Sequence, residues 1–387
     1  MKKMKKVISL VLGLSMVAAS LTACGTKASN GGDTLVIGGI GPLTGGAAVY
    51  GQNVKNGAEL AAKEINAAGG INGVKIEFKF EDDEADGEKA VNAYNTLKDA
   101  GMKILMGTVT SGACASVIEK TNEDKMFQLT PSASSTDVLK YGNAFQVCFT
   151  DPNQGIASAK YIGEKALATK VAIIYDSSDI YSSGIYEKFV EEAKNQNFEI
   201  VAAEAFTADS KSDFSVQLQK AKDNGAELVF LPIYYTEATL ILTQAASLDY
   251  KPIFFGCDGL DGILGVENFD TSLAEGVMLL TPFAADSDDE KTQKFVADYK
   301  AAYNNEVPNQ FAADAYDAMY IIKAAIEKAD VKADMSVAEM GDALKAAMTQ
   351  ISVDGLTGAG MTWSATGEVN KAPIAVVIKD GTYVTAE

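Results

Sequence analysis

Histidine and arginine are both absent from the 387-residue chain, so all 33 basic residues are lysines. Without imidazole, no Ser–His–Asp triad, Cys–His dyad or histidine-ligated metal site is available. Without guanidinium, the bidentate clamp for a carboxylate or phosphate is missing. Any anion must then be held by backbone N–H groups, hydroxyls or lysine. Cysteine is scarce. Apart from Cys24 there are only Cys114, Cys148 and Cys257. An odd number with no Cys-x-x-Cys pair argues against a disulfide framework or a zinc site and points to small buried hydrophobes. Positive charge is also short. The net charge is −19, and loss of residues 1–23, with four lysines and no acid, would make it −19 − 4 = −23. Such a surface repels phosphate backbones, so nucleic acid is not an expected partner.

What is present begins with processing sequence. MKKMKK is a basic start, and VISLVLGLSMVAAS is an apolar run too short and too interrupted for a membrane span. LTAC, Leu21 to Cys24, then places a small residue before a cysteine. This pattern predicts a lipoprotein signal peptide over 1–23, lipidation of Cys24 and a flexible tether over 24–33. The mature chain is expected to be extracytoplasmic and lipid-anchored to the cell membrane.

From Thr34 onward, strand-like and helix-like runs alternate. TLVIGGI is a strand, Val54 to Ala68 carries apolar residues at helical spacing, and VKIEFKF is the next strand. A helix over 90–100 and strands over 103–106 and 126–129 follow. After TDPNQG, Thr150 to Gly155, the rhythm restarts with strands at 171–175, 199–206, 228–231, 253–256 and 277–280. Helices are expected over 185–195, 214–223 and 237–248, and the region 288–350 reads as mainly helical. KDG, Lys379 to Gly381, predicts a final hairpin. Alternation of this length implies an α/β fold with two doubly wound parallel-sheet lobes. In such sheets ligands sit beyond the carboxyl ends of the strands. That rule collects Tyr50, Ser111, Ser132 and Ser134 from the first lobe and Tyr181, Tyr234 and Asp258 from the second. A cleft lined by hydroxyls, aromatics and one acid suits a small zwitterion with an apolar side chain.

The motifs narrow the chemistry further. GGIGPLTGG, Gly38 to Gly46, comes near a dinucleotide fingerprint, but Pro42 interrupts it and Thr44 stands for the third glycine. DDEADG, Asp82 to Gly87, resembles the start of a calcium loop, but Ala93 occupies the position that needs a bidentate glutamate. Helix capping and a solvated acidic turn account for it better. GTVTSGA, Gly107 to Ala113, is not a nucleophile elbow: the glycine lies four residues before Ser111 rather than two, and no histidine is available as base. Ser111 and the free N–H groups of the helix behind it read instead as a seat for a carboxylate, with Gly112 letting the ligand approach, the alternative being plain helix capping. TPSASST, Thr130 to Thr136, repeats the hydroxyl-rich turn after the next strand. Asp258 ends its strand where it could meet a ligand ammonium. No cofactor and no metal site is indicated.

The segments IGPLTGGAAVYGQNVKNGAELAAKEINAAGGING, EDDEADGEKAV, GTVTSGA, TPSASS, DPNQG, SDFSVQLQKAK and QFAADAYDAMY together resemble the branched-chain amino-acid-binding proteins. These are type I solute-binding proteins of ABC importers, and the resemblance runs through nearly the whole mature chain. It implies two lobes joined by a three-strand hinge, with crossings near Asp151, Pro282 and Gly355. The first lobe would be 34–150 plus 282–354, and the second 151–281 plus 355–387. The family's ligand positions fall on Tyr50, Ser111, Ser132, Ser134, Tyr181, Tyr234 and Asp258, with Phe311 as a side-chain pocket aromatic. A first-lobe disulfide of some members has no counterpart here. The resemblance implies a monomeric substrate-binding component that closes on leucine, isoleucine or valine and docks onto a membrane permease. It leaves open another small amino acid, an amide, or a ligand sensor, and an exported enzyme stands as the reading from another class.

Overall fold

The computed structural model describes residues 34–386. The expected signal peptide, the tether and Cys24 lie outside the described residues. The first run of elements is β1 (Leu35–Gly41), α1 (Ala48–Ala67), β2 (Ile76–Asp82), α2 (Gly87–Asp99), β3 (Ile104–Gly107), α3 (Ser111–Glu123), β4 (Phe127–Thr130) and β5 (Ala144–Gln146). These strands form one sheet in the order β2-β1-β3-β4-β5, parallel throughout. Every residue of β1 is buried, as a central strand covered on both faces requires. Val36 and Ile40 pack with Tyr94 and Leu97 of α2 and Val117 of α3. Ile37, from the opposite face, joins the core that contains Val54, Ala58 and Ala61 of α1. The period-two alternation of the strand thus serves two helical layers.

The second run is α4 (Asp151–Glu164), β6 (Lys170–Asp176), α5 (Ile180–Ala193), β7 (Glu199–Phe206), α6 (Ser215–Asp223), β8 (Leu228–Leu231), α7 (Tyr235–Ser247), β9 (Ile253–Gly256) and β10 (Met278–Thr281). Its strands lie in the order β7-β6-β8-β9-β10, again parallel. The two lobes therefore share one winding, the structural counterpart of the rhythm that restarts in the sequence. The chain then adds α8 (Glu290–Ala302), α9 (Gln310–Ala329) and α10 (Val337–Met348), followed by β11 (Ile374–Lys379) and β12 (Thr382–Thr385). α9 packs along α1, and α10 packs on α9 and β4, so both belong to the first lobe. β11 and β12 extend the second sheet as an antiparallel hairpin, which makes that sheet mixed rather than wholly parallel. Asp380 and Gly381 both have positive φ, 51° and 70°, as a two-residue primed turn requires.

The structure departs from expectation at several places. α1 begins at Ala48, six residues before Val54, and carries Tyr50 in its first turn. Gly51 permits this, because a Cβ there would lie 2.0 Å from the Pro42 carbonyl oxygen. TDPNQG opens α4 as well as marking a boundary: Thr150 is its N-cap and Pro152 sits in its first turn. The three-residue β5 carries too little pattern to be read in advance. DDEADG does cap a helix, through Asp86 Oδ1 and Lys89 N at 2.9 Å, but the turn is not solvated throughout. Asp83 is fully buried, and Asp82 Oδ1 accepts the N–H of Leu43 at 2.8 Å, fixing the glycine-rich loop.

The third crossing also moves. Residues 355–371 stay on the first lobe: Thr357 N donates to Asp317 of α9 at 2.9 Å, Gly367 O accepts from Gln146 N at 3.0 Å, and Trp363 Nε1 donates to Gln146 O at 2.8 Å. This stretch covers the open edge of β5. The chain passes to the second sheet only between Lys371 and Ile374, later than the expected crossing near Gly355.

Candidate functional site

The carboxyl ends of both sheets face a cleft, and the cleft encloses a tight inner cavity of about 20 Å³. Tyr50, Ser111, Ser132, Tyr181, Tyr234, Asp258 and Phe311 all line it. Seven of the eight expected residues thus meet in one space. Ser134 does not line it and stands one layer behind. Val109, Thr110 and Gly259 complete the wall. A wider outer cleft shares Thr110 and Tyr234 and leads to solvent.

The first-lobe wall is polar, and its hydrogen bonds fix which way each hydroxyl points. Ser111 is the first residue of α3. Its Oγ accepts the N–H of Ser134 at 3.1 Å and of Ser135 at 3.2 Å. A serine oxygen has two acceptor positions and one hydrogen. With both acceptor positions taken, the hydrogen remains to be donated into the cavity. Ser134 thus acts through Ser111. Ser132 is set the opposite way: its hydroxyl donates to Val109 O at 2.8 Å, which turns its lone pairs outward. The helix start adds to this. Thr110, the N-cap of α3, makes no side-chain capping bond, and its Oγ1 is buried without a partner. Among the described residues no acceptor takes the N–H of Ser111 or Gly112. A Cβ on Gly112 would meet nothing within 4 Å. One edge of the cavity is therefore a set of donors backed by a helix N-terminus, suited to a carboxylate.

The second-lobe wall carries the acid and the rings. Asp258 begins the turn after β9. Its N–H donates to Gln154 Oε1 at 3.2 Å, and its Oδ1 accepts from Tyr181 Oη at 2.7 Å. The residue is 5 % exposed. Burial pushes its carboxyl up to about 7, against the opposing pull of the Tyr181 and Gln154 hydrogen bonds. Among the described residues no lysine pairs with it. Tyr181 and Tyr234 stack with ring centroids 5.0 Å apart, and Tyr50 and Phe311 lie 4.4 Å apart. Burial raises the phenols of Tyr50, Tyr181 and Tyr234 well above their ordinary value, so all three stay neutral donors.

Tyr50 also joins the lobes. Its Oη donates to Gly259 O and accepts from Tyr235 N at 3.2 Å. Val49 N donates back to Tyr235 Oη at 3.0 Å. These bonds bridge the two lobes beside the cavity. The three thiols are buried and free, and burial pushes Cys114 up to about 11, so none is a reactive group. Thr110 and Gly259 escaped the sequence reading. Thr110 precedes the helix that Ser111 starts, which was a usable signal; Gly259 contributes its backbone alone and left none.

The family described as periplasmic binding protein matches residues 34–382. A Leu/Ile/Val-binding protein homolog of Brucella melitensis is 32 % identical over 302 residues, covering 76 % of this chain and 79 % of its own. The leucine-, isoleucine-, valine-, threonine- and alanine-binding protein of Pseudomonas aeruginosa is 29 % identical over 329 residues, 84 % of this chain and 87 % of its own. The structure of the branched-chain amino acid transporter substrate binding protein LivJ from Streptococcus pneumoniae, in complex with isoleucine, superposes with a TM-score of 0.82. It is 30 % identical and covers 92 % of this chain and 99 % of the other. A match that spans the whole described fold decides the matter: the chain belongs to the periplasmic binding protein family.

Proposed function

We propose that the protein is the extracytoplasmic substrate-binding component of an ABC amino-acid importer, and that it captures leucine, isoleucine or valine by closing its lobes. One observation carries the reading. Asp258 is a buried carboxyl with no cationic partner among the described residues, and it shares its cavity with a donor edge at Ser111. Burying a lone charge costs several kcal/mol unless it is paired. An α-amino acid supplies the missing cation and, at its other end, the missing anion.

The roles follow from the hydrogen bonds. The ligand carboxylate takes the Ser111 hydroxyl hydrogen and the free N–H groups of α3. The ammonium sits against Asp258 and the outward lone pairs of Ser132. Tyr50, Tyr181, Tyr234 and Phe311 enclose an aliphatic side chain. Such a pocket separates leucine from valine weakly, by roughly 1–3 kcal/mol per methylene. Closure of the hinge brings the two walls together, and the closed form docks onto a membrane permease. Lipid on Cys24 holds the monomeric protein at the membrane face. No catalytic role is assigned, since Ser111 has no base.

A thermal-shift panel of amino acids and aliphatic amides on the mature protein tests this. A ligand at 100 times its Kd adds about 2.7 kcal/mol of stability, so leucine, isoleucine and valine raise the melting temperature. A shift with amides alone, or with no aliphatic amino acid, rejects the reading.

A further inference from the structure

The turn after β9 reads CDGLDG, Cys257 to Gly262, and holds a second Asp-Gly pair three residues beyond Asp258. Asp258 faces the cavity, and Asp261 reaches the other lobe. Asp261 Oδ2 accepts the N–H of Gln310 at 2.9 Å. Gln310 opens α9, and its side chain donates back to Asp258 O at 2.8 Å. The turn belongs to the second sheet and α9 to the first lobe, so both bonds cross the cleft.

α9 already has a cap of its own. Asn309 Oδ1 accepts from Phe311 N at 3.1 Å and Ala312 N at 3.3 Å. The Gln310 N–H is left over, and the opposite lobe supplies its acceptor. A carboxylate there gains from the helix dipole as well as from the hydrogen bond. The next residue is shaped for the same contact. Gly262 has φ +100°, and a Cβ on it would lie 2.9 Å from Val49 Cγ1 and 3.5 Å from Asn309 Nδ2, both across the cleft. Asp261 is 4 % exposed, which marks the contact as dry. The turn is braced internally by Leu260 N to Cys257 O at 3.0 Å and Asp261 N to Asp258 O at 2.9 Å.

We infer that Asp261 is a closure latch, a positioning residue that ties the turn carrying Asp258 to the N-terminus of α9 when the lobes meet. The inference rests on the amino-acid reading above. One braced turn then serves two contacts: Asp258 holds the ligand, and Asp261 holds the opposite lobe. With the cleft open, the Gln310 N–H returns to water and the Asp258 carbonyl loses its brace. The latch acts on escape of the ligand rather than on its encounter.

Stopped-flow binding of leucine, isoleucine and valine to wild type, D261A and D261N tests this. In D261A the dissociation rate rises about tenfold while the association rate stays within about twofold. D261N, which keeps an acceptor oxygen, recovers part of the loss. The ligand-free melting temperature does not track these changes. A D261A dissociation rate equal to that of wild type overturns the latch. Amide hydrogen exchange in the wild type needs no variant: leucine protects the Gln310 N–H, and equal exchange with and without leucine also overturns it. A wild type that binds none of the three contradicts the ligand reading and the latch with it. A wild type that binds, with D261A unchanged, contradicts the latch alone.

Discussion

Asp258 and Asp314 are both removed from water, at 5 % and 1 % exposure, and burial is the largest influence raising each carboxyl. Their partners differ. Asp314 Oδ1 meets Lys371 Nζ at 2.7 Å, and Lys371 also donates to Val147 O at 3.0 Å and Thr357 Oγ1 at 2.7 Å. Every N–H of that ammonium is used, and the pair fastens residues 357–371 to the first lobe. Among the described residues Asp258 has a phenol for one oxygen and no cation. The same side chain thus appears once as a finished internal pair and once as half of a pair. A buried charge that the protein completes for itself belongs to the fold. One that it leaves incomplete, at the wall of a cavity, belongs to a ligand.

Breaking the finished pair should give the largest effect. Lys371→Met leaves Asp314 uncompensated and is expected to cost about 3–5 kcal/mol of stability, read by chemical denaturation. A loss below about 1 kcal/mol would show that the pair is not the fastening described. Asp258→Asn should do the reverse. Binding of a branched-chain amino acid weakens by about 2–5 kcal/mol, as when one partner of a buried charge pair is removed. The ligand-free melting temperature at pH 8 stays level or rises, because the variant no longer buries an unpaired carboxylate. A fall in stability with unchanged affinity would assign Asp258 to the fold instead.

The pH dependence sharpens the contrast. Asp258 pairs with an ammonium only when ionised, and its carboxyl is pushed up to about 7. Affinity should therefore fall as pH drops below 7, by about tenfold per unit, in titrations between pH 5 and 8. The ligand-free protein moves the other way through this group. Its folded value lies above the unfolded one, so the stability it contributes is fully present below the unfolded carboxylate range and is lost as pH rises through about 7. Asn at position 258 should flatten both trends. The smallest effect is Ser111→Ala, at roughly 1–3 kcal/mol of binding for a carboxylate left without that donor. An unchanged Kd would return Ser111 to a purely local role in holding the 132–135 turn.

Much of this was readable before the structure because strand ends are marked in sequence. Ser111, Ser132 and Asp258 each follow a short buried strand by a few residues, and the winding rule brings such positions to one cleft. Ser134 shows the limit of that rule. It lies four residues beyond its strand where Ser132 lies two, and it meets Ser111 through its backbone N–H instead of lining the cavity. Asp83 and Asp261 show another limit. Asp83 sits in a stretch that reads as a solvated turn, Asp261 drew no reading at all, and both are buried. Residues 355–371 form no regular helix or strand; Met361, Trp363 and Val369 are buried from irregular chain, and polar bonds to Asp317 and Gln146 fix the stretch. Their lobe could be assigned only from those bonds.

The central claim is that the cavity lacks one positive charge, which the ligand brings. Calorimetric titration of the wild type with leucine and with 4-methylpentanoate, its analogue without the amino group, tests this directly. Leucine is expected to bind at least about a hundredfold more tightly, the scale of losing a partner to a buried charge. Equal affinity for the two would contradict the account.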